Sequence, residues 1–161
     1  MRQEVTKTFL NDNSNIYPKD AVAALILDSK ENILLQLRDD KTGIFFPNHW
    51  GFFGGAIDED ENPKDSLFRE LEEELSISFN MSEVTDFITS EICFKPGEAS
   101  VKRYFFLVRI CEDLIKEIEV SEGQEADLFN CTDSLKLPNF VPYDRFALWS
   151  YYNQHRISFE Q

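Results

Sequence analysis

Six residues within the segment 54–77, GGAIDEDENPKDSLFRELEEELSI, stand at intervals suited to a divalent-cation site for diphosphate chemistry: Gly55, Glu61, Arg69, Glu70, Glu73 and Glu74. Glu70, Glu73 and Glu74 are related as i, i+3 and i+4, so on a helix their carboxylates lie within reach of one another. Three like charges there cost a bare helix only about 0.2–0.5 kcal/mol per pair, too little to prove a ligand. A magnesium-like cation takes hard oxygen ligands in an octahedral shell and would turn that repulsion into a binding site. Read alone, E-x-x-E-E is most often a solvated helix face.

The helix itself is well specified. Asn62 is a good N-cap, and Pro63 fits the first helical position, where its missing N–H would have no intrahelical partner. From Lys64 to Leu75 there is no Gly or Pro, and Leu67, Phe68, Leu71 and Leu75 form one apolar stripe for the core.

Taken whole, the string resembles the signature of the Nudix hydrolase family, G-x5-E-x7-R-E-U-x-E-E-x-G-U with U aliphatic. Gly55 fills the first position, Glu61 the first acid, Arg69-Glu70-Leu71 the R-E-U, Glu73-Glu74 the paired acids and Ile77 the last aliphatic. Ser76 stands where the family has its second Gly, a helix end that favours a left-handed backbone, so a local strain is expected there.

The 161 residues, 42% of them hydrophobic, suffice for one sizeable core, and no linker or repeat divides them, so 1–161 reads as a single domain. No stretch approaches a membrane span, and the first fifteen residues lack the apolar run of a secretory signal, so a cytoplasmic protein is expected. Cys93, Cys111 and Cys131 show no C-x-x-C spacing and read as buried free thiols. A net charge of −14 without a Lys/Arg cluster argues against polymeric nucleic acid. It is compatible with a small phosphorylated ligand if metal ions bridge acidic protein and acidic substrate.

Around the segment, 21–27 (AVAALIL) and 33–37 (ILLQL) read as adjacent strands joined by a turn at 28–32. Residues 87–94 and 101–110 read as strands around the turn 95–98, and 141–155 as a helix turning Phe146, Trp149 and Tyr152 inward. Strands with one helix between and another at the end predict an α/β fold, an α/β/α sandwich around a mixed sheet. The resemblance implies the same Nudix fold.

By resemblance, the chemistry is metal-dependent attack of water on a diphosphate linkage in a nucleoside diphosphate derivative, a nucleotide sugar or a nucleoside triphosphate. Glu70, Glu73 and Glu74, with the Gly55 carbonyl, would hold Mg2+, for which Mn2+ would substitute. The ions would polarise phosphoryl oxygens, offset charge on the leaving phosphate and acidify water. Arg69 and Glu61 would orient the carboxylates. Two residues compete as general base: Glu70, and Glu122 in the loop SEGQE at 121–125, which resembles an acidic Nudix loop able to swing toward the metals. Gly123 would permit the turn.

For substrate binding, Arg38 could meet a distal phosphate or pair with Asp39 or Asp40. Trp50 and Phe53, in the cluster with Phe46 and Phe52, could stack on a base or form core. His49 reads as structural, and Asn139 either reads a base or serves a turn after Pro138. No Pro stands about fifteen residues beyond Ile77, as ADP-ribose hydrolases often have, and Phe94 replaces the Tyr frequent in dinucleoside polyphosphate hydrolases. A homodimer is a default expectation. The other classes weighed are a catalytically silent Nudix nucleotide sensor, an isopentenyl diphosphate isomerase, for which the loop lacks a Cys, and a calcium module, for which D-x-D-x-D-G is missing.

Overall fold

Every residue of the apolar run 21–27 is buried, because the strand it forms, β1 (Ala21–Leu27), is covered on both faces. The computed structural model describes residues 18–77, 80–93, 100–118 and 121–156. Strand β1 pairs parallel with β5 (Val101–Arg109) and antiparallel with β2 (Ile33–Leu37). A two-residue β3 (Trp50–Gly51) and β6 (Glu125–Phe129) both add antiparallel to β2, and β4 (Val84–Ile92) adds antiparallel to β5. The sheet is therefore mixed and six-stranded, in the order β3-β2-β1-β5-β4 with β6 on β2.

Side-chain alternation divides the core in two. Val22, Ala24 and Ile26 face α1 (Pro63–Leu75), meeting Leu67, Leu71 and Leu75. Ala23, Leu25 and Leu27 face the opposite side, where Ala147, Leu148 and Tyr151 of α4 (Pro142–Tyr152) close the third layer. Two short helices, α2 (Glu112–Glu117) and α3 (Cys131–Ser134), complete the expected α/β/α sandwich.

The first turn closes as its residues predict. The Asp28 carboxylate accepts the Lys30 and Asn32 amides, each at 2.8 Å. Strand β4 begins three residues earlier than the predicted 87–94, and Phe94 and the turn at 95–98 lie outside the described residues. Cys93 and Cys111 are exposed and Cys131 half-buried, so the expected burial does not hold.

The phase of α4 also differs from expectation. Phe146 and Trp149 point to solvent at 56% and 46% exposure, stacked on each other, while Asp144, Ala147, Leu148 and Tyr151 turn inward. Small Ala147 lets the helix approach the sheet, and the Asp144 carboxylate accepts the Phe52 amide at 3.0 Å, which fixes the rotation. Tyr152 is half-buried and donates its hydroxyl to the Glu31 carbonyl at 3.0 Å.

Asn62 caps α1 as predicted, accepting from the Lys64 amide at 3.0 Å and the Asp65 amide at 3.1 Å. At the other end Ser76 is left-handed, φ 55° and ψ 25°, with its amide bonded to the Glu72 carbonyl. A non-Gly residue there costs about 1 kcal/mol, partly offset by the extra unfolded-chain entropy a Gly would bring. Ser76→Gly is expected to raise stability by roughly 0.5 kcal/mol, a melting-temperature rise of about 1–2 °C, with turnover unchanged. A lower melting temperature would mean that the contact of Ser76 Oγ with Ser121 Oγ at 3.4 Å matters more than the backbone strain.

Candidate active site

Glu74 lies within the apolar face of α1, buried to 6% exposure between Leu71 and Leu75. Burial is the main reason its carboxyl is pushed up to about 7, and the nearby Glu70 and Glu122 charges push the same way. Opposing them, the Gly54 amide donates to one carboxylate oxygen at 2.7 Å and the Gln36 side-chain amide to the other at 3.3 Å. Gln36 Nε2 also lies 3.2 Å from the Phe52 carbonyl and so ties β2 to the loop before the helix.

That loop crosses β1 at close quarters. Val22 donates to the Gly55 carbonyl and Ala24 to the Phe53 carbonyl, each at 2.9 Å. A Cβ on Gly54, whose φ is +131°, would sit 2.4 Å from the Val22 carbonyl oxygen. A Cβ on Gly55 would fall 2.3–2.5 Å from the Glu70 carboxylate, which therefore rests over a bare backbone. The paired glycines are the cradle that lets strand and carboxylate close in.

Arg69 organises the outer half. Its Nε and Nη2 donate to the two Glu61 oxygens at 3.1 and 2.9 Å, and its Nη1 to Glu70 Oε1 at 2.7 Å. Bidentate pairing with Arg69 holds Glu61 down at about 2. Glu70 is raised, because burial outweighs the Arg69 contact and the Glu73 and Glu122 charges add to it. Glu73 turns outward, its side chain 62% exposed and 3.6 Å from Arg69 Nη1.

The loop bearing Glu122 is pinned on both sides. Ser121 donates its amide to the Glu74 carbonyl at 2.8 Å, while Gln124 donates its amide to the Leu37 carbonyl and its side chain to the Arg38 carbonyl, both at 2.8 Å. Gly123 has φ +90° and passes close to Leu37. Glu122 thus stands near enough to Glu70 and Glu74 to raise both, without the swing that the sequence suggested.

Among the described residues, no three His, Cys, Asp or Glu side chains are already drawn together as a metal-holding group. The expected convergence of Glu70, Glu73 and Glu74 is only partial, because protein donors hold Glu74 inward and Arg69 draws Glu73 outward. The donor set nonetheless suits a hard divalent cation: carboxylate oxygens only, two of them on groups whose ionisation burial and like charge disfavour. The Gly55 carbonyl, expected to face the metal, is engaged with Val22 in the sheet.

The remaining candidates scatter. Phe53 is 0% exposed beneath α1, so it is floor, not a stacking surface. Trp50 packs edge-on against Phe129 at 4.9 Å, and Asn139 is exposed, its backbone carbonyl bonded to the Trp50 amide at 2.7 Å. His49 bonds the Pro47 carbonyl at 2.8 Å, a structural role. Arg38 alone lines a cavity beside the site, its Nε donating to the Phe45 carbonyl at 2.9 Å. Arg103 and Tyr143 line the same cavity, and sequence reasoning missed them. The available signal is an Arg in strand register with Phe105 and Leu107, and an aromatic beside a helix acid whose spacing to Ala147, Leu148 and Tyr151 is that of an inward stripe.

Nucleoside triphosphatase NudI of Escherichia coli is similar to this chain, 26% identical over 105 residues covering 63% of the chain and 73% of the relative. The MutT protein from Methanosarcina mazei Go1 has a similar fold, with TM-score 0.65 at 21% identity over 88% of this chain and 99% of that one. So does the NUDIX domain of Shewanella oneidensis NrtR complexed with ADP ribose, with TM-score 0.64 at 15% identity over 98% and 99%. The family model described as the NUDIX domain matches residues 17–152. The chain therefore belongs to the NUDIX family, as a pyrophosphohydrolase of the Nudix type.

Proposed function

We propose that this protein hydrolyses a diphosphate linkage of a nucleoside triphosphate, with Mg2+ as cofactor held by Glu70, Glu73 and Glu74, and that Glu122 is the general base. The observation that carries the reading is Glu74, a carboxylate buried at a cost among leucines beside a second raised carboxylate. A purely structural helix would place Leu or Ala there. When bound, the cation supplies Lewis-acid polarisation of phosphoryl oxygens and offsets charge on the leaving group.

The protein's own groups do the rest. Gly54 and Gln36 aim the Glu74 carboxylate, and Arg69 aims Glu70 while Glu61 anchors Arg69. Glu122, exposed and making no side-chain hydrogen bond among the described residues, can take the proton of the attacking water at a carboxylate oxygen. Glu70 is less available, since Arg69 occupies its Oε1. The similarity to NudI, named a nucleoside triphosphatase, supports a triphosphate over a nucleotide sugar as the substrate of this chain. All the acids of the motif are present, which favours an enzyme over a silent sensor.

Phosphate or pyrophosphate release from the common nucleoside triphosphates and several nucleotide sugars, with and without Mg2+, tests the proposal. Mg2+-dependent release from a triphosphate is expected, and its absence from the whole panel would refute it. Glu122→Gln is expected to lower kcat about 10²- to 10⁴-fold and to remove the acid limb of the kcat profile, with KM for Mg2+ little changed. Glu70→Gln should instead raise the Mg2+ requirement. If the Glu122→Gln enzyme kept its turnover, the base assignment would be wrong.

A further inference from the structure

Beside the glycine cradle lies a cavity of about 200 Å³ whose lining is chemically one-sided. In a chain with 30 acidic and 16 basic residues, the described lining holds Lys19, Arg38, Lys102 and Arg103 and no carboxylate. Phe45 and Tyr143 give it flat walls, and Gly54, Gly55 and Ala56 form the edge shared with the carboxylate site.

Arg103 is held ready in this wall. Its guanidinium lies over the Tyr143 ring, 5.0 Å from the centroid, and its Nη2 is 3.9 Å from Oδ1 of Asp144. Asp144 is 1% exposed and its Oδ2 is occupied by the Phe52 amide at 3.0 Å. Arg103 Nε and Asp144 Oδ1 are buried without a hydrogen-bond partner among the described residues. A structural ion pair would close that gap, since leaving a buried donor or acceptor unmade costs about 1–3 kcal/mol. The arrangement instead braces, in the cavity wall, a planar, donor-only group whose pairing with Asp144 is incomplete.

We propose that this cavity takes the nucleobase of the substrate and that Arg103 selects bases presenting a keto oxygen over those presenting an amino group at the same ring position. The proposal rests on the nucleotide reading above. Arginine and lysine only donate, so a keto edge completes their hydrogen bonds, whereas an exocyclic amino group sets donor against donor. The ring packs against Phe45, and the diphosphate leaves over Gly55 toward Glu70 and Glu74.

Binding of monophosphates to the full-length chain tests this without turnover. IMP and AMP differ at one purine position, keto against amino, and UMP and CMP differ likewise among pyrimidines. By calorimetry, the keto member of the better-bound ring size should bind about tenfold tighter or more, the discrimination a bidentate Arg contact supplies. In Arg103→Ala, verified folded by circular dichroism, the ratio should fall toward one through weaker binding of the keto member, whereas Arg103→Lys, still donor-only but without the planar fork, should keep the direction of the preference at a smaller ratio. Equal or reversed preference in the wild type overturns the proposal. So does an equal loss for all four ligands in both variants, which would place Arg103 on the common phosphate, and so does failure of every monophosphate to bind. Turnover separates this from the functional reading. Hydrolysis of triphosphates without base preference sinks the selectivity alone, whereas keto-selective binding with no hydrolysis sinks the enzymatic assignment alone.

Discussion

Glu74→Gln is expected to reduce Mg2+-dependent turnover by about 10²- to 10³-fold while leaving the metal-free protein folded and less sensitive to pH. The loss of turnover corresponds to about 3–4 kcal/mol of transition-state stabilisation, the scale expected when a charged ligand is removed from a site that offsets phosphoryl charge. The stability arm follows from proton linkage. The folded Glu74 carboxyl sits at about 7 against an ordinary 4.5, so between those values the folded protein keeps a proton that the unfolded chain has released. Without metal, stability therefore falls as pH rises from about 4.5 to about 7, by about 3 kcal/mol, and levels off above it. Gln cannot ionise, so that part of the slope should vanish. Its gain at pH 8 is limited, because one of the Gly54 and Gln36 contacts loses its acceptor. Thermal melts of both proteins in chelator from pH 4.5 to 8.5 check the point, and parallel curves would show that Glu74 holds no such proton.

Gly54→Ala is expected to lower stability by about 4 kcal/mol, roughly 10 °C in melting temperature, the largest structural effect of any single methyl in the site loop. The added carbon would meet the Val22 carbonyl oxygen at 2.4 Å and Ala23 Cα at 3.0 Å, and φ +131° is itself strained for an L residue. Neither obstacle can step aside, because Val22 and Ala23 belong to β1, paired along its length with β5. Gly43 is the control: it too has positive φ, +87°, but nothing lies within 4 Å of its would-be Cβ, so Gly43→Ala should cost about 1 kcal/mol. Equal melting temperatures for the two variants would mean that the loop does not cross β1 as closely as described.

How far the sequence foretells this molecule depends on how local each feature is. Asn62, Pro63 and the acid spacing specify α1 within one helix length, and the structure keeps that helix where the residues place it. Runs such as 21–27 and 101–109 are strongly apolar and also declare themselves. Strand β3 has two residues and β6 reads EADLF, so neither carries a strand pattern; both exist because β2 offers hydrogen-bonding edges. The phase of α4 is deceptive because Phe146 and Trp149 look like core, whereas the inward stripe includes Asp144, an acid buried to meet the Phe52 amide. The cavity is least legible of all. Arg38, Phe45, Arg103 and Tyr143 come from separate segments, and only the parallel pairing of β1 with β5 and the packing of α4 bring them together.

Helix α1 is expected to present its carboxylates to a divalent cation. Titration of the full-length protein with Mn2+, followed by the paramagnetic signal of the free ion, tests it most directly. The wild type should deplete that signal, and Glu70→Gln and Glu74→Gln, verified folded, should each weaken binding at least tenfold. A wild type that leaves the free Mn2+ signal untouched, or variants that bind as it does, would contradict the account.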